Sequence, residues 1–337
     1  MEIENGTQWP AAIMLGNGPD GRPTLTVIIK VTFRFSKEDR KASWDESQLP
    51  IAGQDEFYGD DIQRGIRIET DMSPYKPGAD IVLVGTAHAP QGRAVLTCET
   101  ALRVGNVAKK VRVYGDRRWI FGSKLALSPT ISSPEPFVTM ELTYERAFGG
   151  IDEHQGMWCS YNFLGRGYAG KKKPESLHHK PLPNLEDPGN PIVSWDTNPM
   201  PAGYGFWPRG CLPRSKFAGT FDEKWLKEKK PERPPGFSFQ FFNAAHPDLQ
   251  MRGFLRGDEI VEMLNLTPQG YQKFQLAAIH PKSSIERTDG GREDMKLNLD
   301  TLCFFPEESL FYQVWRGLYP VRTLECEEIK KIFINMS

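Results

Sequence analysis

No run of about eighteen consecutive apolar residues occurs in the 337-residue chain, so nothing in it reads as a membrane-spanning helix. Cysteine is scarce and unpatterned. The five residues Cys98, Cys159, Cys211, Cys303 and Cys326 are odd in number, widely separated and without a CxxC pair. That fits neither a disulfide framework nor a zinc knuckle and predicts free, mostly buried thiols. Excess charge is missing as well: 42 basic residues stand against 43 acidic ones, a formal charge of −1, scattered along the sequence. Without a basic face there is no footprint for a phosphate backbone or an anionic membrane, and neither nucleic acid nor membrane insertion is expected. The opening MEIENGTQWPAAIML has early acids and no basic n-region, so the expectation is a mature chain identical to the whole chain, soluble and cytoplasmic.

Helical periodicity is also in short supply. Only EKWLKEKK, stopped by Pro231, and the tail ECEEIKKIF read as helical, while EIVEMLNL fits either state. Alternation is abundant instead. In PTLTVIIKVTFRFS the residues Leu25, Val27, Ile29, Val31, Phe33 and Phe35 share one face, and Thr24, Thr26, Lys30, Thr32 and Arg34 share the other, which predicts a long, half-exposed strand. AVLTCETALRV and VAKKVRVYG, joined at Gly105-Asn106, read as a hairpin with a tight primed turn. Further strands are expected in DIVLVGTAH, FVTMELTY, FSFQFF, FQLAAI, KLNLDTLCFF and LFYQVWRG. The fold class is therefore mainly β, a large sandwich or barrel-like unit or units with few short helices. The length allows a single module over 1–337 or two β lobes, about 1–145 and 237–337, joined by a loop-rich segment 146–236.

That middle segment differs from both flanks. Twelve prolines between Pro174 and Pro235 would suggest disorder, but twelve aromatics between Trp158 and Phe237 contradict it, because disordered segments are poor in rings. The reading is an ordered Pro/aromatic-rich loop insert. Its rings fill core under long loops or make a partner surface, for which Trp195, Tyr204, Phe206, Trp207 and Trp225 are the candidates.

Chemical motifs fail on their context. GRGYAGKK, Gly165 to Lys172, matches a dinucleotide fingerprint and most of a phosphate loop, yet WCSYNFL precedes it, Lys172 replaces the magnesium-binding hydroxyl and Pro174 interrupts any following helix. The tripeptide HPD, His246 to Asp248, reads as a turn after a strand. His154, Cys159, His178, His179 and Cys211 lack the spacing of a tetrahedral metal site, and no nucleophile elbow or triad neighbourhood is present. No metal, cofactor or catalytic residue is expected, although distant carboxylates can meet in a β fold.

TYERAFGGID, Thr143 to Asp152, is the sharpest local feature. If FVTMELTYER is extended, Val138, Met140, Leu142, Tyr144 and Arg146 share one face and Glu145 points to the other. Arg146 then ends an apolar stripe and needs a partner, with Asp116 and Asp152 as candidates. Phe148 packs, and Gly149-Gly150 turns the chain. Together with Asp116, Arg117 and Trp119 of VYGDRRW, the residues Tyr144, Glu145, Arg146, Gly149, Gly150 and Asp152 read as a structural corner. The competing expectation is a carboxylate-dependent hydrolase, acting on a small molecule or glycan, built on Asp116, Glu145, Arg146 and Asp152.

In order along the chain, YKPGADIVLVGTAHAP, VYGDRRW, LTYERAFGG, GRGY, PLPNLEDP, GTFDEKW, FFNAAHPDLQ, GDEIVEMLNL, LNLDTL and VWRG resemble a bacterial domain-of-unknown-function family, number twenty-one sixty-nine. The likeness runs from about Phe33 to Trp315. It implies a cytoplasmic adaptor or chaperone of the type VI secretion system, whose partners are secreted effectors or toxins (Rhs or PAAR-linked) and PAAR or spike proteins, and which is not itself an enzyme. The family motifs fall on Asp80, Asp116, Arg117, Trp119, Tyr144, Glu145, Arg146, Gly149, Gly150, Asn184, Glu186, Asp222 and Trp225. Where the family pattern has Asn-Pro before the GRG stretch this chain has NFL, and it shows no pentapeptide-repeat tract.

Overall fold

Alternating apolar residues become strands as expected. A computed structural model describes residues 1–36, 38, 40–59, 64–121, 128–153, 155–220, 223–228 and 233–336. The protein is mainly β, and Glu223–Glu228 is the single α-helix among the described residues. The largest sheet has seven strands, in the order Gln250–Arg252, Gly78–Leu83, Leu297–Phe305, Leu310–Pro320, Pro23–Arg34 and Ala11–Asn17, with Ser43–Trp44 beside the end of Pro23–Arg34. A five-stranded sheet runs Leu185–Glu186, Val107–Tyr114, Thr97–Val104, Ile260–Leu264 and Tyr271–Gln275. The two sheets face each other across phenylalanine rings: Phe274 of the second lies 5.9 Å from Phe311 of the first and 4.6 Å from Phe35, which follows the strand Pro23–Arg34. Segments 1–145 and 237–337, considered above as separate lobes, thus contribute neighbouring strands to the same two sheets.

The Gly105-Asn106 hairpin forms in the expected register, Val104 opposite Val107, with Gly105 at a φ of 58°. That angle is open to glycine and strained for other residues. Three expectations need correction. FSFQFF is a 3₁₀ turn, Phe239–Phe242, capped by the Ser238 hydroxyl. The tail is the strand Ile329–Met336, because its isoleucines pair in the sheet with Pro281–Arg287, which overrides the helical charge pattern. The strand Pro23–Arg34 is buried on both faces rather than half exposed.

Its polar face is covered by a strap, Glu69 to Lys76, held by charge. Lys30 Nζ lies 2.9 Å from Asp71 Oδ2 and 3.9 Å above the Tyr312 ring. Arg316 donates to the carbonyls of Asp71 and Ser73 and, at 2.6 Å, to the Asp300 carboxylate. Lys76 bridges Asp80 at 2.8 Å and Thr301 at 2.9 Å. Asp80 also accepts from the Ala244 and Ala245 amides at 2.9 and 3.2 Å. Glu69 receives Arg214, whose Nη1 also donates to the Trp207 carbonyl. These charges are buried, so each depends on its partner. Asp71→Ala is expected to cost about 3–5 kcal/mol by stranding Lys30, whereas Lys30→Met with Asp71→Leu should recover most of that loss; urea unfolding of the three proteins decides it.

The HPD turn caps this region, following the 3₁₀ turn rather than a strand. His246 is buried against Trp207, its Nδ1 accepting from the Asp248 amide and its Nε2–H donating to the Pro201 carbonyl. Burial, and then the charge of Lys109, push its pKa down to about 3, against the ordinary 6.5. A histidine held neutral in the folded chain and free to protonate when unfolded contributes stability that is complete above about pH 6.5. That contribution is lost as pH falls toward 3, at about 1.4 kcal/mol per unit. Glu69 adds to the loss only below its ordinary value of 4.5: burial raises its pKa, but Arg214 and Arg209 outweigh burial and hold it low. Unfolding midpoints should therefore fall between pH 7 and 5, and His246→Gln should flatten that limb.

Candidate functional site

Segment 144–186 builds the corner. The strand from Phe137 does not continue to Arg146: it ends at Glu141, and Tyr144–Arg146 is a 3₁₀ turn. Glu145 and Arg146 point apart nonetheless. Glu145 Oε1 accepts from the Gly65 amide at 2.9 Å, with Arg64 at 3.7 Å. Arg146 donates to Asn184 Oδ1 at 3.3 Å and has Asp116 at 4.0 Å and Glu141 at 3.8 Å. Of the two partners considered for it, Asp116 is the neighbour; Asn184 ties that carboxylate to the turn through a 2.9 Å bond. Arg117 is buried against Glu186 at 2.5 Å, over the Tyr114 ring at 3.6 Å.

Asn162 is the hub of the corner. Its Nδ2 donates to the carbonyls of Tyr144 and Phe148 at 2.8 and 3.0 Å, and its carbonyl accepts from the Gly150 amide. A Cβ on Gly149 would stand 2.0 Å from that carbonyl oxygen, and φ at Gly149 is 151°. Hence the residue must be glycine. Phe148–Gly149 then pairs in parallel with Arg166–Gly167, and Ile151–Asp152 pairs with Met157–Trp158. The sequence signal for Asn162 was the NFL before GRG: the asparagine is kept and Phe163 follows it.

GRGYAGKK is thus a strand-and-turn wall instead of a loop before a helix. It lines a cleft of about 190 Å³ with Trp119, Gly149, Gly150 and Lys180. Asp152 lies buried below with Lys172 at 3.6 Å and neither carboxylate oxygen hydrogen-bonded. Trp119 is in the small apolar cluster of Phe148, Cys159, Leu177 and Ile192. Asp116, Glu145 and Asp152 each meet a different partner and form no shared carboxylate site.

The aromatic candidates divide. Tyr204, Phe206 and Trp207 are interior, a correction to their reading as partner surface: Trp207 packs edge-on to Tyr144 at 5.2 Å and Tyr204 bonds Thr100 at 2.9 Å. Trp195 is half-buried against the small cluster, and Trp225 is half-buried on the short helix. The rings that do face outward were missed. Trp158 is 60% exposed and sits opposite Ile151, 52% exposed, in the short ladder, with Tyr161 nearby in sequence at 39%. All five cysteines are buried, and no metal-ligand cluster occurs among the described residues. Asp222 and His154 lie outside the described residues.

A β-sandwich carrying a glycine-pinned, loop-rich insert is the class that these observations define. The model of a family described as an uncharacterized protein conserved in bacteria (DUF2169) matches residues 20–316, and the chain belongs to that family. No curated protein and no solved structure matches it. No helix among the described residues is long and apolar enough to cross a membrane. Gly149→Ala is expected to cost more than about 3 kcal/mol, and Asn162→Ala about 1–3 kcal/mol by leaving the Phe148 carbonyl bare and taking from the Tyr144 carbonyl one of its two donors, the other being the Ala147 amide; chemical denaturation of the purified variants checks both.

Proposed function

We propose that the protein is a cytoplasmic adaptor of a type VI secretion system that binds a cognate effector and helps load it onto the spike. The observation that carries this reading is the exposed Ile151–Trp158 pair, mounted on a corner that glycine contacts and Asn162 make rigid. Two large apolar side chains side by side in water are the kind of surface that a partner covers. The kind of partner is what the resemblance of the ordered motifs implies, a secreted effector or a spike protein. The hydrolase reading has less behind it, since Asp116, Glu145 and Asp152 are engaged separately by Asn184, Gly65 and Lys172.

Affinity capture of the tagged chain from cells expressing the secretion genes is expected to bring down one effector or spike protein in near-stoichiometric amount. Trp158→Ala should weaken that complex by about tenfold to a hundredfold without moving the thermal unfolding midpoint. Trp207→Ala should do the reverse and cost about 3–5 kcal/mol of stability. A chain that remains a partner-free monomer under those conditions would overturn the adaptor reading.

A further inference from the structure

The cleft beside Trp158 differs in charge pattern from two larger furrows on the surface. A furrow of about 420 Å³ contains Arg287, but Asp289 and Glu293 pair with it at 3.0 and 3.1 Å. Another of about 400 Å³ holds Arg103 and Lys273, both on Glu262 at 3.2 and 3.1 Å. In the glycine-walled cleft none of the lining residues is acidic, and Arg166, Lys172 and Lys180 all face it. Lys172 leans on the buried Asp152. Arg166 donates its Nε–H to the Glu145 carbonyl at 2.9 Å, and neither it nor Lys180 forms a close ion pair among the described residues. Arg166 also has Arg146 as a charged neighbour; burial first and that charge second lower its pKa, against a smaller opposite pull from the Asp116 and Glu145 carboxylates. The carboxylates that offset Arg166 and Lys172 are not part of the cleft lining, and Lys180 forms no ion pair among the described residues, so the open side of the cleft is cationic and favours a negative group supplied from outside. The wall carries a second unmet need: the Trp119 indole is buried, and its Nε1–H has no acceptor.

Resting on the adaptor reading, we infer that this cleft receives an aspartate or glutamate side chain from an extended acidic segment of the partner, while an apolar neighbour in that segment packs on Ile151 and Trp158. Ile151 belongs both to the cleft lining and to the exposed pair, so one short peptide spans them. A cleft of about 190 Å³ suits a carboxylate group and excludes a nucleotide. Charged contacts of this kind set partner choice and association rate more than total affinity. The exposed Lys171 and Lys173 flank the site and favour approach of the same charge.

The test uses the purified complex with the captured partner. Lys180→Glu should weaken it about tenfold, Lys180→Arg should stay within about twofold, and raising salt from roughly 0.05 to 0.3 M should weaken the native complex more than the Lys180→Glu one. Replacing Tyr161 by photoreactive benzoylphenylalanine should crosslink a partner segment containing Asp or Glu, and changing that acid to Lys should restore binding to Lys180→Glu. Unfolding curves of each variant separate binding loss from misfolding. If the complex forms, depends on Trp158 and ignores Lys180→Glu, the acidic-segment proposal fails and the adaptor reading stands. A crosslinked segment without acids, or displacement of the partner by about 10 mM inorganic phosphate at constant ionic strength, overturns it in favour of another ligand. With no complex at all, both fall.

Discussion

The fold depends on how the polar face of its largest sheet is closed. Lys30, Arg316, Asp300 and Asp80 come from four adjacent strands and are all taken out of water. A sheet face with such charges cannot be covered by an apolar layer, because the desolvation cost of each ion would go unmet. The strap Glu69 to Lys76 meets it with Asp71, Lys76 and two backbone carbonyls, and Glu69 extends the chain of contacts to Arg214 and Arg209 of the insert. Sheet, strap and insert are therefore cooperative. Losing one charge strands its partner, and the insert is registered against the sandwich by directional bonds as well as by packing.

That registration gives the insert its character. Its prolines and short turns provide little ladder bonding of their own, so the order comes from Tyr144, Tyr204, Phe206 and Trp207 buried beneath it and from Asn162 collecting three backbone groups at one point. Interior rings are spent on order and present nothing to a partner. The outward-facing Ile151 and Trp158 have no such role within the chain, and the cationic cleft beside them has no acidic residue in its lining. The proposed adaptor role draws on an ordered base with an unfilled surface, and Ile151, Trp158 and Asn162 all follow the double glycine closely in sequence.

Much of this was legible in advance. Period-two alternation located the long strands, the Gly105-Asn106 dipeptide placed the hairpin, and the double glycine marked a corner. The failures have physical causes. FSFQFF and the tail have patterns compatible with more than one backbone state, and neighbours decided between them: a serine cap for one and strand partners on both sides for the other. The Pro23–Arg34 strand looked half exposed because threonine and lysine normally face water; no local signal announces a strap that arrives from forty residues away. Aromatic side chains are equally at home in a core and at an interface, so Trp207 and Trp158 could not be told apart from their identities.

Membership in the family, the mainly β class and the glycine corner follow from local pattern, since alternation, turn chemistry and motif order are carried by residues close together in the chain. Which rings are inside, which carboxylates find which cations, and that Arg166, Lys172 and Lys180 converge on a cleft without acids were decided by tertiary structure. Those properties depend on desolvation and on distances between segments far apart in sequence, and both exist only once the strap and the insert have closed over the sheets.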